Sequence, residues 1–161
     1  MSLIHPYLNY CNIIWGSADK TIIEPLFILQ KKAIRLVNRV HYLEHTKPLF
    51  ETMKILTVYQ LHDLNCLTFI YKCLNSNQYP DFKNEMNRNS HYHNYNTRNN
   101  SDFRLPCRDL KNIRQSFFYK GINLWNRLNN DLTIYKVYLQ FKSNLLSFKK
   151  RIKHEILTDA I

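Results

Sequence analysis

Apolar side chains recur every three or four residues over much of the chain, which is the spacing of one face of an α-helix. One such series begins at Ile22, continues through positions 26, 29, 33 and 36, and ends at Val40, so it predicts a helix over about residues 22–40. Thr21 followed by Glu24 matches a capping box at its start. The basic residues of this helix fall outside the apolar series: Lys31, Lys32, Arg35 and Arg39.

A second apolar series predicts the helix at the centre of the core. Thr57 and Gln60 form another capping box, and a helix is predicted over about 58–74. Leu67 and Ile70 widen its apolar surface beyond one face, as in a helix that packs against several neighbours.

The pattern changes after this helix. Residues 77–104 are rich in Asn, His and Tyr with little periodicity, and we predict a loop there. Helical spacing returns over about 117–128 and 138–157. The sequence therefore predicts a mainly α fold, divided into a helical region, 1–76, and a basic, loop-rich C-terminal segment, 77–161.

Glycine is scarce, and this excludes several enzyme classes. Of the 161 residues two are glycine, although 45% are hydrophobic, which is enough for a folded core. A dinucleotide fingerprint, a phosphate-cradling loop and a nucleophile elbow all depend on several glycines. No adjacent Asp pair that could hold two metal ions occurs. We therefore expect no catalytic residue and no cofactor.

The best candidate for a metal site combines Cys66 and Cys73 with His91 and His93. Their spacing matches none of the usual zinc patterns, in which two ligands stand two to four residues apart on each side. The alternative is that both cysteines are buried and inert. We favour this alternative and expect no metal.

Charge points to a polyanionic partner. The chain has 23 Lys and Arg against 12 Asp and Glu, a net charge of +11, and most of the excess lies after residue 80. Such an imbalance is typical of nucleic-acid binding, with solubility as the alternative. Aromatic residues alternate with the basic ones and could stack on bases or belong to the core. The candidate phosphate contacts in this half are Arg98, Arg104, Arg108, Lys111 and Arg114.

No apolar run reaches the roughly 20 residues of a membrane span, and no secretory leader is recognisable. We therefore expect an intracellular protein, cytoplasmic or nuclear and not secreted, with no membrane partner.

Several short strings resemble, in the same order, the region that follows the palm in reverse transcriptases of jockey-like non-LTR retrotransposons. Each string is weak alone, and their order over residues 3–157 makes the signal specific. The strings are Leu3 to Tyr10 with Ile14-Trp15-Gly16, Leu29 to Arg35, His45 to Phe50, His93-x-Tyr95 to Arg98, Leu105-Pro106-x-Arg108 and Gly121-x-x-Leu124-Trp125-Asn126-x-Leu128, followed by Phe141-Lys142.

This resemblance implies a helical, thumb-like bundle followed by a C-terminal segment, without the Asp-Asp metal-binding motif of the palm. Such a fragment of an RNA-directed DNA polymerase is not an enzyme by itself. It implies non-sequence-specific backbone contacts to RNA or an RNA/DNA duplex, and other parts of a reverse transcriptase as protein partners. Two alternatives stay open: a helical protein-interaction module, and a degenerate transposon-derived protein without independent activity.

Overall fold

The computed structural model describes residues 4–76, 78–92, 99–105, 116–130 and 144–158, and this part of the chain is mainly α-helical, as predicted. No helix in these ranges is long and apolar enough to cross a membrane. The helices are α1 (Ile4–Asn9), α2 (Asn12–Trp15), α3 (Lys20–Asn38), α4 (Lys47–Thr52), α5 (Val58–Asn75), α6 (Pro80–Glu85), α7 (Phe117–Asn130) and α8 (Leu145–Leu157), with a 3-10 turn at Asn89–His91.

Helix α5 lies at the centre and contacts α2, α3, α6, α7 and α8. Its start is the predicted capping box, which is confirmed: Thr57 Oγ1 accepts a hydrogen bond from the Gln60 backbone N–H at 3.2 Å, and Gln60 Oε1 accepts one from the Thr57 N–H at 3.0 Å. Leu67 and Ile70 have no exposed surface, so the expectation that this helix packs on several sides is also confirmed.

The buried side chains around α5 form one hydrophobic cluster. Leu67 and Ile70 belong to it together with Ile122 of α7 and Phe148 of α8. The ring of Tyr71 stacks on that of Phe148 with centroids 4.3 Å apart. Side chains from both sides of the predicted boundary between residues 76 and 77 therefore share this cluster.

Both glycines allow close contacts with α5. A Cβ atom on Gly121 would lie 2.9 Å from Cγ1 of Ile70, so the missing side chain lets α7 approach α5 closely. A Cβ atom on Gly16 would lie 2.5 Å from Nδ1 of His62 and 2.5 Å from the Asn12 carbonyl oxygen. Neither position could accept a larger residue without displacing its neighbours.

His62 is buried beneath α2. Its Nδ1 lies 3.1 Å from the Asn12 carbonyl oxygen and its Nε2 lies 3.3 Å from Ser17 Oγ. Burial lowers the pKa of His62 from 6.5 to about 4, and the nearby charge of Lys120 acts in the same direction. The imidazole is therefore neutral in the folded protein at neutral pH.

Several predicted helix limits are corrected. Helix α3 begins at Lys20, and the capping box at Thr21 is wrong, because the Glu24 carboxylate instead accepts a hydrogen bond from the Tyr59 hydroxyl at 2.9 Å. The helix predicted over 138–157 begins at Leu145, because the extended backbone of Asn144 ends helical geometry on its N-terminal side. Residues 138–143 lie outside the described part of the chain.

Several short elements were missed. Helices α1 and α2 had no predicted counterpart. The region predicted as a loop over 77–104 contains α6, the 3-10 turn and an isolated β-bridge between Arg88 and Phe103. Segments of six residues or fewer carry too few turns to show a period.

The predicted apolar face of α3 is also wrong. Three of its members are mostly exposed, Ile22 by 70%, Leu29 by 60% and Leu36 by 80%. The buried face of α3 instead carries Ile23, Gln30 and Ile34. The helix has apolar residues on two sides, and tertiary contacts rather than apolar spacing select the one that packs.

Protonation of His62 should make folding stability depend on pH. Because the unfolded chain binds this proton at a pKa near 6.5 and the folded protein near 4, the free energy of unfolding decreases as pH falls through this interval. A shift of this size corresponds to about 3 kcal/mol. Urea unfolding of the wild type and of His62→Gln at pH 7 and at pH 4 measures this change in the free energy of unfolding. The variant should lose less stability between these pH values, and an equal loss in both proteins would contradict the assignment.

Candidate nucleic-acid interface

Helix α3 brings four of the predicted basic residues together. Lys31, Lys32, Arg35 and Arg39 follow one another over the last two turns of α3 and its C-terminal end. At 3.6 residues per turn Lys31, Lys32 and Arg35 span roughly 100° around the helix axis, so these three share one side, and Arg39 follows directly after the last turn. Lys32 and Arg39 are exposed, and the other two are half-buried. We call these four residues the α3 basic stripe.

A buried glutamine fixes the orientation of α3. Gln30 Nε2 donates a hydrogen bond to the Leu56 carbonyl oxygen at 2.9 Å, and Gln30 Oε1 accepts one from the Val58 N–H at 3.0 Å. Both partners lie where the chain enters α5, so one side chain joins α3 to the start of the central helix. Because a buried amide is costly without partners, these bonds favour one rotation of α3 about its axis. That rotation turns the α3 basic stripe away from the core.

Two members of the stripe also have partners within the protein. Nζ of Lys31 lies 4.0 Å from the centroid of the Phe27 ring. Nε of Arg35 donates a hydrogen bond to the Glu44 carbonyl oxygen at 2.8 Å, which ties α3 to the loop that follows it. Neither contact neutralises the cation, so both residues keep their positive charge.

The side chains of the other two cations of the stripe have no partner among the described residues. No hydrogen bond, ion pair or ring contact joins the side chains of Lys32 and Arg39 to another residue of the described ranges. Within these ranges no carboxylate forms an ion pair with any of the four cations. The α3 basic stripe is thus a positive surface that the described carboxylates leave uncompensated.

Arg39 occupies a backbone position that favours glycine. Its φ is 54°, in the left-handed region, directly after the last turn of α3. The Arg39 N–H donates to the Leu36 carbonyl oxygen and the Val40 N–H to that of Arg35, both at 3.2 Å, which is the hydrogen-bond pattern of a Schellman motif. An arginine here accepts backbone strain that glycine would avoid.

The predicted residue Arg104 lies on a different element. Its guanidinium carbon is 4.1 Å from the centroid of the Tyr92 ring. The preceding residue, Phe103, is fixed to α7 by Asn126, whose Oδ1 accepts from the Phe103 N–H at 3.0 Å and whose Nδ2 donates to its carbonyl oxygen at 2.8 Å. Arg104 is exposed and is not part of the α3 basic stripe.

The remaining candidate contacts cannot be placed. Four predicted phosphate contacts lie outside the described residues and stay predictions: Arg98, Arg108, Lys111 and Arg114. Of the aromatic residues that alternate with the basic ones along this half of the chain, Phe103 and Trp125 are buried in the hydrophobic cluster. For these two the core interpretation is confirmed and base stacking is wrong.

The cysteines of the candidate metal site lie in the core. Burial raises the pKa of Cys66 to about 12 and that of Cys73 to about 11, so both thiols stay protonated at neutral pH. His91 is exposed, and His93 lies outside the described residues. In the ranges that the structure describes, no group of three or more His, Cys, Asp or Glu side chains is placed to hold a metal ion.

Comparison of the chain with models of protein families, with curated proteins and with solved structures finds no match.

Glycine substitutions at Arg39 and at Lys32 should change the free energy of unfolding in opposite directions, because the backbone is strained at Arg39 and helical at Lys32. Arg39→Gly should raise the free energy of unfolding by about 1 kcal/mol, because glycine adopts the left-handed conformation without strain. Lys32→Gly, in the same helix but with helical backbone, should lower it by about 1 kcal/mol. Denaturant unfolding of both variants measures the two effects. If Arg39→Gly destabilises the protein as Lys32→Gly does, the left-handed geometry of Arg39 is contradicted.

Proposed function

We propose that the chain is a fragment of a non-LTR retrotransposon RNA-directed DNA polymerase, without the catalytic palm. In this proposal it binds the backbone of RNA or of an RNA/DNA duplex without catalysing a reaction, and other parts of a reverse transcriptase are its protein partners. The α3 basic stripe provides the contact to the phosphates.

The observation that carries the proposal is the stripe itself. Three cations share one side of α3, a fourth follows its last turn, and no carboxylate of the described residues forms an ion pair with any of them. Cations in such an array release counterions from a nucleic-acid backbone, which favours binding of any sequence. Contacts of this kind position a duplex and do not distinguish its bases.

The strings that carry the family resemblance have structural roles that support the proposal. Gln30 stands within the string Leu29 to Arg35 and fixes the rotation of α3, so the same string contributes the cations and their orientation. Asn126, next to Trp125, fixes the segment that leads to Arg104. In both cases one residue of a string holds a neighbouring segment that carries predicted nucleic-acid contacts.

A salt titration of duplex binding tests this function. We expect the purified protein to bind two RNA/DNA duplexes of unrelated sequence equally well, with affinity that falls steeply as salt rises. The double variant Lys32→Gln/Arg39→Gln should weaken binding and reduce the slope of log affinity against log salt by about 2, one unit for each lost phosphate contact. Fluorescence anisotropy with labelled duplexes measures both quantities.

A matched control is available on α7 and α8. The variant Arg127→Gln/Lys150→Gln removes the same charge from two exposed positions away from α3 and should keep the wild-type slope. Binding that does not change between low and high salt, or an equal loss in both double variants, would contradict a phosphate contact at the stripe.

A second candidate function is favoured by the apolar residues beside the stripe. Ile22, Leu29 and Leu36 recur every seven residues and are each at least 60% exposed. Apolar surface of this kind often marks a contact with another protein. The alternative is therefore a helical protein-interaction module whose cations are simply solvated.

Pull-down after nuclease treatment distinguishes the two functions. An interaction module keeps its protein partners when nucleic acid is digested and loses them in Leu29→Ser/Leu36→Ser. A nucleic-acid binder loses on digestion the co-purified proteins that nucleic acid bridges to it and keeps at most the other parts of a reverse transcriptase. Its serine variant keeps the affinity for the duplex because the stripe is intact.

A further inference from the structure

A cavity of about 290 Å³ lies between α1, α3, α5, α8 and the segment that follows α4. Its volume is at the lower end of the roughly 300–1,000 Å³ that is typical of small-molecule sites. Apart from the Gln30 amide, the buried part of its wall is aliphatic, from Leu8, Ile34, Leu56 and Leu61. No aromatic side chain other than His5 is among the described residues that line it.

The charge of the cavity has one sign. Lys54, Lys149 and Lys153 line it, and no carboxylate stands among its described lining residues. The side chain of none of the three lysines forms a hydrogen bond or an ion pair with a described residue. Lys54 and Lys153 are exposed, which places positive charge on the open side of an aliphatic cavity.

Several amide atoms of the cavity already have partners. Both polar atoms of the Gln30 side chain bond to the segment before α5, and Nδ2 of Asn65 donates to Oδ1 of Asn9 at 3.0 Å. The charged groups that line the cavity are the lysine ammonium groups, which donate hydrogen bonds and accept none. These donors favour a ligand that carries a negatively charged hydrogen-bond acceptor.

The backbone at Lys54 is a second, independent observation. Its φ is 52°, and the Lys54 and Ile55 N–H groups donate to the carbonyl oxygens of Glu51 and Phe50, both at 3.0 Å. This is a Schellman motif at the end of α4 with lysine at the position where glycine is usual. The chain thus tolerates backbone strain at a residue whose side chain lines the cavity.

The geometry points to a binding site for a small aliphatic carboxylate, with its alkyl chain on the leucine and isoleucine wall and its carboxylate among Lys54, Lys149 and Lys153. The cavity holds the volume of roughly ten water molecules, which fits octanoate with its ten or so non-hydrogen atoms. The site does not include Lys32 or Arg39, so it is independent of the proposed contact to nucleic acid.

Calorimetric titration with octanoate tests the site. We expect saturable binding at one site, at least tenfold tighter than binding of octan-1-ol, which has the same chain without the charge. Lys149→Gln/Lys153→Gln should weaken octanoate binding by about tenfold, because charge-assisted hydrogen bonds are lost. Lys20→Gln/Lys150→Gln removes equal charge outside the lining and should leave the affinity unchanged.

A variant that fills the cavity separates this site from binding elsewhere on the surface. Ala33 lines the cavity, and Ala33→Phe should abolish octanoate binding while all charges stay in place. Unchanged binding in Ala33→Phe that still unfolds cooperatively would overturn the proposal. So would an equal affinity for octan-1-ol, an equal loss in the two lysine double variants, or the absence of saturable binding by wild-type protein up to millimolar octanoate.

Discussion

The two hydrogen bonds of the buried Gln30 side chain determine what α3 shows to solvent. A buried amide is stable only where its donor and its acceptor both find partners, and the carbonyl group of Leu56 and the N–H of Val58 supply them. Helix α3 could bury either of two apolar faces, so this polar pair helps to select one. The consequence is an outer surface that carries both the basic stripe and the apolar positions exemplified by Leu29.

The sequence patterns correctly predicted those features of the fold that depend on interactions between residues close together in the chain. The capping box of Thr57 and Gln60 and the apolar surface of α5 involve residues within a few positions of one another, and both were correct. The face of α3 was wrong because its determinant, the bond from Gln30 to Leu56, joins residues 26 positions apart. The start of α8 was wrong because Asn144 interrupts a series whose apolar spacing is continuous.

For the candidate sites, too, the sequence predicted features of a single helix but not those that several elements form together. The spacing of Lys31, Lys32 and Arg35 was enough to place them on one side of one helix, whereas Arg39, predicted within the helix, lies directly after its end. The cavity could not be foreseen, because its lysines come from α8 and from the end of α4. Two of the helix ends, at Arg39 and Lys54, carry a cation where glycine is usual, whereas both glycines serve close packing against α5 or its side chains.

Chemical footprinting of lysines measures the contact between the α3 basic stripe and nucleic acid most directly. The full chain is acetylated briefly with and without a saturating RNA/DNA duplex, and the modification of each lysine is read by mass spectrometry. The account predicts that the duplex protects Lys32, which is exposed and unpaired among the described residues, and leaves the exposed Lys150 of α8 reactive. Protection of Lys150 with no change at Lys32 would contradict it.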